Sequence, residues 1–393
     1  MAIFGNSKKG KIVGVIDIGS ASVGGAVVSI NGDGNPKLLY STRHDLVFQS
    51  NLNFGRFLSS MLDALEQTLH DIEHASQETP RDFFCSFASP WYASRTKTLQ
   101  ISYESPVTIS DKVLGKLIRD EVGVFETDMK ESSAIANDPP EVIDMDTIQV
   151  RLNGYETANP RGKRAKEIEL ALYASISSQR VLESIKSRIF KAFHTRRVVF
   201  GTYTLVAFSA IRDIFSDKKN FLFLDITGEV SDFSIIRDNV IAEVVSFPMG
   251  KNSLIRRIAS GLNVGPAEAL SLIRMREEQH QTKVAAKKLD GIIDTAKQEW
   301  LKYFTGALND FAEKYAVPAT IFLTIDQDVS SIYIEAIQTE DLGQFVLTEN
   351  AFNVSMLNGK VLEKFLTIGD GVVHDPFLFL ETIFVDKVSE KFK

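Results

Sequence analysis

Two stretches of the chain share one order of apolar and small polar residues. Residues 12–28 read IVGVIDIGSASVGGAVV and residues 221–236 read FLFLDITGEVSDFSII. Each is an apolar run closing on an Asp-Ile pair (Asp17-Ile18, Asp225-Ile226), then a short turn of small residues, then a second apolar run. Runs of this length broken by Gly, Ser and Thr predict strand–turn–strand units. The likeness holds in register: nine, ten and eleven residues beyond each Asp stand Ala26, Val27, Val28 and Ser234, Ile235, Ile236.

Between and after these hairpins the period changes. The cluster Asn31–Pro36 predicts a turn and 37–41 a third strand. Leu58, Met61, Leu62, Leu65, Leu69 and Ile72 recur at helical spacing and predict a helix over 55–75. Strands are expected at 83–87 and 96–103, and a helix over 111–121 capped at Ser110-Asp111. The stretch 122–165 reads as loop with one strand at 147–152. A strand at 167–175, a helix on Val181, Ile185, Ile189 and Phe193, a strand at 196–200 and a helix at 203–214 lead to the second hairpin. Beyond it come a strand at 241–247, helices at 254–262, 266–278 and 283–315, and a strand at 321–324. The last helix has Asp375 as its cap and Pro376 in its first turn.

Composition narrows the class. With 393 residues, 44% hydrophobic and 24% charged, the chain has room for more than one core. A net charge of −7 excludes general nucleic-acid binding, which needs clustered positive charge. The single cysteine, Cys85, lies in the run FFCSF, where burial is expected, and one thiol forms no internal disulfide. Asp17 and several glycines interrupt the apolar stretch 12–30, so neither a secretory leader nor a membrane span is expected, and a cytoplasmic place follows. His70 and His74 sit four apart on the first helix with nothing to complete a metal site.

The candidate chemistry lies in the two turns. Gly19, Ser20, Ala21 and Ser22 form one, and the second, 227–232, carries Gly228 and Ser231. Small side chains let an anion approach backbone N–H groups, and a strand-end Asp can hold Mg²⁺ through its waters. A tight turn with no ligand is the other reading of either turn alone.

As a pair, the hairpins resemble the phosphate loops of the superfold shared by actin, sugar kinases and heat-shock ATPases. Further segments are similar to the cell-division protein FtsA and the pilus-assembly protein PilM. These are Asn159-Pro160-Arg161-Gly162 before the strand EIELALYASI, Phe247-Pro248-Met249-Gly250-Lys251 before a helix, Ala267-Glu268 on the next helix, and Asp375-Pro376-Phe377. The resemblance implies an α/β, two-lobed actin-like (ribonuclease-H-like) fold with a small α/β subdomain inserted in the first lobe. The expected boundaries are 1–80 and 176–215 for the first lobe, 81–175 for the insertion and 216–393 for the second lobe.

It also implies a site. Asp17 and Asp225 would act as the catalytic and Mg²⁺-positioning carboxylates. Gly19, Ser20, Ala21, Ser22, Gly228, Ser231, Gly250 and Glu268 would bind ATP, Glu268 at the ribose. Departures weaken this: Thr227 and Glu229 replace glycines, Ser271 replaces a lysine, and Thr324–Asp328 replaces a glycine-rich adenosine loop. Turnover beyond a weak ATPase is therefore not expected.

The leading functional expectation is an FtsA-like scaffold in bacterial cell division, linking a cytoskeletal assembly to inner-membrane proteins, with self-association and ATP as its ligand. The alternatives are a PilM-like adaptor of type IV pilus assembly, a nucleotide-free pseudo-actin adaptor, and a small-molecule kinase. The sequence ends at PFLFLETIFVDKVSEKFK, with Phe377, Leu380, Phe384, Val388 and Phe392 on one face and no anchor helix after it. Membrane attachment is therefore expected only through a partner. Trp91 and Tyr92, after a strand, read either as exposed partner anchors or as packing on a local helix. Arg161, Lys163, Arg164 and Lys166 read as a solvated basic stretch.

Overall fold

The computed structural model describes residues 10–30, 34–132, 138–195, 197–277, 283–346 and 352–389. The start of the expected turn at 31–33, residues 133–137 of the expected loop, residue 196 of an expected strand, residue 278 of an expected helix and Phe392 lie outside them.

The chain opens with β1 (Lys11–Ile18), β2 (Ser22–Ile30) and β3 (Lys37–Asp45), an antiparallel meander. Helix α1 (Phe54–Ala75) follows, and β4 (Asp82–Phe87) then runs parallel to β1. Asn53 caps α1 by accepting the Arg56 N–H at 3.1 Å. Asn53→Ala should therefore lower stability by about 1 kcal/mol in a urea titration.

An insertion comes next: β5 (Ala93–Thr108), α2 (Asp111–Ser132), β6 (Pro140–Leu152), β7 (Tyr155–Glu156) and β8 (Arg164–Ser178). Its sheet has the order β5-β8-β6-β7 and carries its own core of Ile109, Leu152, Ile168, Leu170 and Leu172 beneath α2. The chain returns through α3 (Gln179–Phe193), β9 (Arg197–Thr202) and α4 (Tyr203–Ile214).

The second meander is β10 (Phe221–Ile226), β11 (Ser231–Arg237) and β12 (Val240–Phe247). Helices α5 (Lys251–Leu262), α6 (Pro266–Glu277) and α7 (Lys283–Ala312) lead to β13 (Thr320–Ile325), α8 (Gln327–Thr339) and β14 (Asn353–Met356). The short α9 (Gly359–Leu362) and β15 (Thr367–Ile368) precede α10 (Pro376–Lys387).

The two main sheets repeat each other. One has the order β3-β2-β1-β4-β9, with β15 added at its β3 edge; the other has β12-β11-β10-β13-β14. In both, the first three strands are antiparallel and the rest parallel. Asp17 faces Gly24 and Asp225 faces Asp232, the same offset in each hairpin. Even the irregularity recurs: the third strand carries one extra residue, Leu39 opposite Val27/Val28 and Ala242 opposite Ile235/Ile236.

Because side chains alternate along a strand, each sheet has two apolar faces. Ile16 and Ile18 face a core with α1 and α3, whereas Val13 and Val15 face α4 and α10. Leu222, Leu224 and Ile226 face α5, α7 and α8, whereas Phe221 and Phe223 face the same α4 and α10. The two sheets therefore share one central layer made of α4 and α10.

The insertion departs most from the sequence reading. Helix α2 runs on to Ser132, with Phe125 buried, where loop was expected. Strand β6 begins at Pro140 rather than 147, and its ladder to β8 is bulged twice. Each bulge shifts the two-residue period, which hides the alternation.

Candidate functional site between the lobes

Both strand-end turns are closed alike: the Gly19 N–H donates to Ser22 O and the Thr227 N–H to Val230 O, each at 3.0 Å. The turns meet across the interface between the lobes. Asp17, Gly19, Ser20, Ala21, Ser22, Arg43, Tyr203, Asp225, Thr227, Gly228 and Asp326 are among the residues lining a cavity of ≈ 30 Å³. That is the scale of one or two waters.

Arg43 on β3 fills the position next to Asp17. Its Nη2 donates to Asp17 Oδ2 at 2.7 Å, its Nη1 to Ser22 Oγ at 2.9 Å and its Nε to Asp375 Oδ2 at 2.6 Å. The guanidinium also lies 5.5 Å from the centre of the Phe377 ring. Asp375 is simultaneously the cap of α10, its Oδ1 accepting the Phe377 and Leu378 N–H groups. Burial works against the charge on Arg43, but Asp375 and Asp17 outweigh it and raise its pKa. Burial raises the pKa of Asp17, with Arg43 pulling the other way.

The second turn is bound directly to the first. Ser20 Oγ and Thr227 Oγ1 are 2.8 Å apart, and the Glu229 N–H donates to Ser20 Oγ at 2.9 Å. Thr227 uses its own proton on Val230 O at 2.8 Å, so Ser20 is the donor between the two hydroxyls. A Cβ on Gly228 would sit 2.7 Å from Ala21 Cβ and 2.8 Å from Ser20 O. Only glycine allows that approach.

The N-terminus of α5, a natural anion site, is occupied too. The Lys251 N–H donates to Thr227 O at 2.9 Å and the Asn252 N–H to Gly228 O at 2.7 Å. The Glu229 carboxylate turns away from the cavity onto Asn252 Nδ2 at 2.8 Å and onto the Arg256 guanidinium.

Asp225 is buried and accepts the Thr324 hydroxyl at 2.6 Å. Burial pushes it well above the ordinary carboxylate range, the Thr324 bond only partly opposing this. Asp232, directly opposite, is also raised by burial while accepting Ser246 Oγ at 2.5 Å and Ser89 Oγ at 2.8 Å. At the expected adenosine position β13 runs straight into α8. Asp326 there pairs with Lys251, and Asp328 with Arg274 at 2.8 Å. ATP with Mg²⁺ does not fit this arrangement: Asp17 already holds a cation, the α5 amides hold carbonyls, and the cavity is too small.

Of the residues singled out from sequence, Asp17, Gly19, Ser20, Ala21, Ser22, Asp225 and Gly228 do converge on the cavity. Three do not line it. Ser231 is buried behind the turn, donating to Met249 O at 2.6 Å and accepting the Trp300 indole N–H at 3.1 Å. Gly250 is packed against the Thr227 and Gly228 carbonyls. Glu268 is exposed on α6. Arg43, Arg256 and Tyr203 were missed, since nothing local marks an arginine on a third strand as facing another strand's end. Trp91 takes the second of its two readings: it stacks on Phe57 of α1 at 4.7 Å and donates to Gly19 O at 2.9 Å, bracing the first turn. Arg161, Lys163, Arg164 and Lys166 are exposed. Among the described residues no helix is long and apolar enough to cross a membrane.

A scan against protein-family models finds no match, and a search of curated proteins finds none either. Solved structures do match. A chain of the PilM–PilN type IV pilus biogenesis complex aligns over 97% of this chain and 98% of its own, with 12% identity and a TM-score of 0.64. A Bacteroides thetaiotaomicron protein with an actin-like ATPase fold and unknown function aligns over 98% and 99%, with 9% identity and a TM-score of 0.43. The ethanolamine utilization protein EutJ from Carboxydothermus hydrogenoformans aligns over 96% and 90%, with 9% identity and a TM-score of 0.45. Identities this low speak for the fold alone.

Proposed function

From a chain with the two-lobed actin-like ATPase fold and a filled interlobe centre, we propose an adaptor of the PilM kind rather than a phosphotransferase. It would dock a cytoplasmic segment of a membrane-anchored pilus-assembly protein and so sit at the inner face of the membrane through that partner. The observation that carries this reading is the near-complete alignment with a protein solved together with PilN. The chemistry of the cleft supports it from the other side. Phosphoryl transfer asks for a free carboxylate to place metal and water. Asp17 is tied to Arg43, and Asp225 is buried with its charge disfavoured.

The FtsA-like division scaffold that leads the sequence reading shares the fold, but the structural likeness favours the pilus alternative. The two separate cleanly by calorimetry. The cytoplasmic segment of the PilN-type protein from the same genome should bind one to one at roughly 10 μM or tighter, about −7 kcal/mol. Silence with that segment, together with binding to a division scaffold, would return the protein to the FtsA reading.

A further inference from the structure

We infer that the lobes are held closed by an internal latch, in which Arg43 replaces the metal's charge and a chain of side-chain bonds replaces a bridging phosphate. Three straps cross between the lobes. The first is Ser20 with Thr227 and the Glu229 amide, in which every proton has an acceptor. The second is Arg256 of α5, which grips Glu229, donates to Gln49 O at 3.2 Å and lies 5.8 Å from the Phe48 ring centre. The third is Ser89, which reaches from the end of β4 to Asp232.

The duplication shows that the latch is particular to this cleft rather than a demand of the hairpin. Arg43 is paired with Gly24 on β2, and the equivalent place in the second sheet, opposite Asp232, holds Ser246. Only one half carries the arginine, and it is the half whose strand-end Asp has no hydroxyl partner like Thr324. Asp17 and Asp375 would repel each other across a dry interface; the Arg43 fork joins them. Glu229, a poor neighbour for a triphosphate, becomes the anchor for Arg256. Two of the residues that depart from a nucleotide-binding pattern, Thr227 and Glu229, are thus among those that close the cleft.

The inference concerns the cleft and stands whatever partner docks elsewhere. It is tested on the Glu229 amide, whose hydrogen bond crosses the lobes, by residue-resolved hydrogen exchange on the full chain. In the wild type this amide should be protected without nucleotide, and adding MgATP or MgADP should change its rate less than twofold. Ser20→Ala should speed its exchange about tenfold, the loss of one hydrogen bond of about 1.4 kcal/mol, while the Leu224 amide in the core of β10 keeps its rate. Arg43→Ser should speed it at least as much. Should Arg43→Ser fail to fold, the wild type and Ser20→Ala still decide. Tenfold or greater slowing by MgATP in the wild type, or an unchanged rate in Ser20→Ala, would overturn the latch.

Discussion

Arg43→Ala should lower the unfolding free energy by about 3 kcal/mol. Removing one member of a buried ion pair leaves the others without compensation, which costs about 3–5 kcal/mol where the group is fully dry. Arg43 keeps 24% of its side-chain exposure, against 4% for Asp17 and 10% for Asp375, so the lower end applies. Arg43→Lys retains the charge but not the planar fork that reaches Asp17, Ser22 and Asp375 together. It should recover about half of the loss. Urea titrations of the three proteins read this directly; equal stability of Arg43→Ala and wild type would mean that the carboxylates find other partners.

Glu381→Gln should raise stability, and the gain should depend on pH. Glu381 lies on the buried face of α10, wholly out of solvent, with neither carboxyl oxygen hydrogen-bonded. Burial first and Asp17 second push its pKa well above 4.5. The sign follows. The folded state holds a proton that the unfolded state releases as pH rises past 4.5, so this group's contribution is complete below that pH and is lost as pH climbs toward the folded value. Glutamine is neutral throughout. At pH ~8 the variant should be more stable by at least about 1–3 kcal/mol, the cost of about one or two pH units of proton uptake that glutamine does not carry, and this pH-dependent difference should vanish near pH ~4.5. Thermal unfolding across that range checks it; parallel profiles would show that Glu381 is already charged and compensated when folded.

The fold was legible where apolar runs were long and unbroken. The two hairpins, the α1 and α3 faces and the Asp375-Pro376 cap of α10 stand where their patterns put them. The insertion was not legible, because bulges in β6 and at Ser102/Val107 of β5 break the alternation that marks a strand. Helix α8 is not predicted from the sequence: its face of Val329, Ile332, Tyr333, Ala336 and Ile337 starts within the acidic Thr324–Asp328 segment, which reads as a loop. The site divides the same way. Turn residues adjacent in sequence announce themselves, so Asp17, Gly19–Ser22 and Gly228 were found. Arg43, Arg256 and Asp375 meet them only through strand pairing and helix packing, and Thr227 and Glu229 have partners, Ser20, Asn252 and Arg256, that are distant in sequence.

Sharing α4 and α10 between the sheets has a consequence for biosynthesis. β15 and α10 follow β1, β2 and β3 by more than three hundred residues, yet β15 extends their sheet and α10 completes the layer against it. On the ribosome, where N-terminal parts ordinarily settle first, Val13, Val15, Ala26 and Val28 can meet α4 but lack the rest of their cover until Leu378, Phe379 and Phe384 emerge. A nascent chain stalled short of α10 would therefore present part of an apolar sheet face to whatever chaperone meets it.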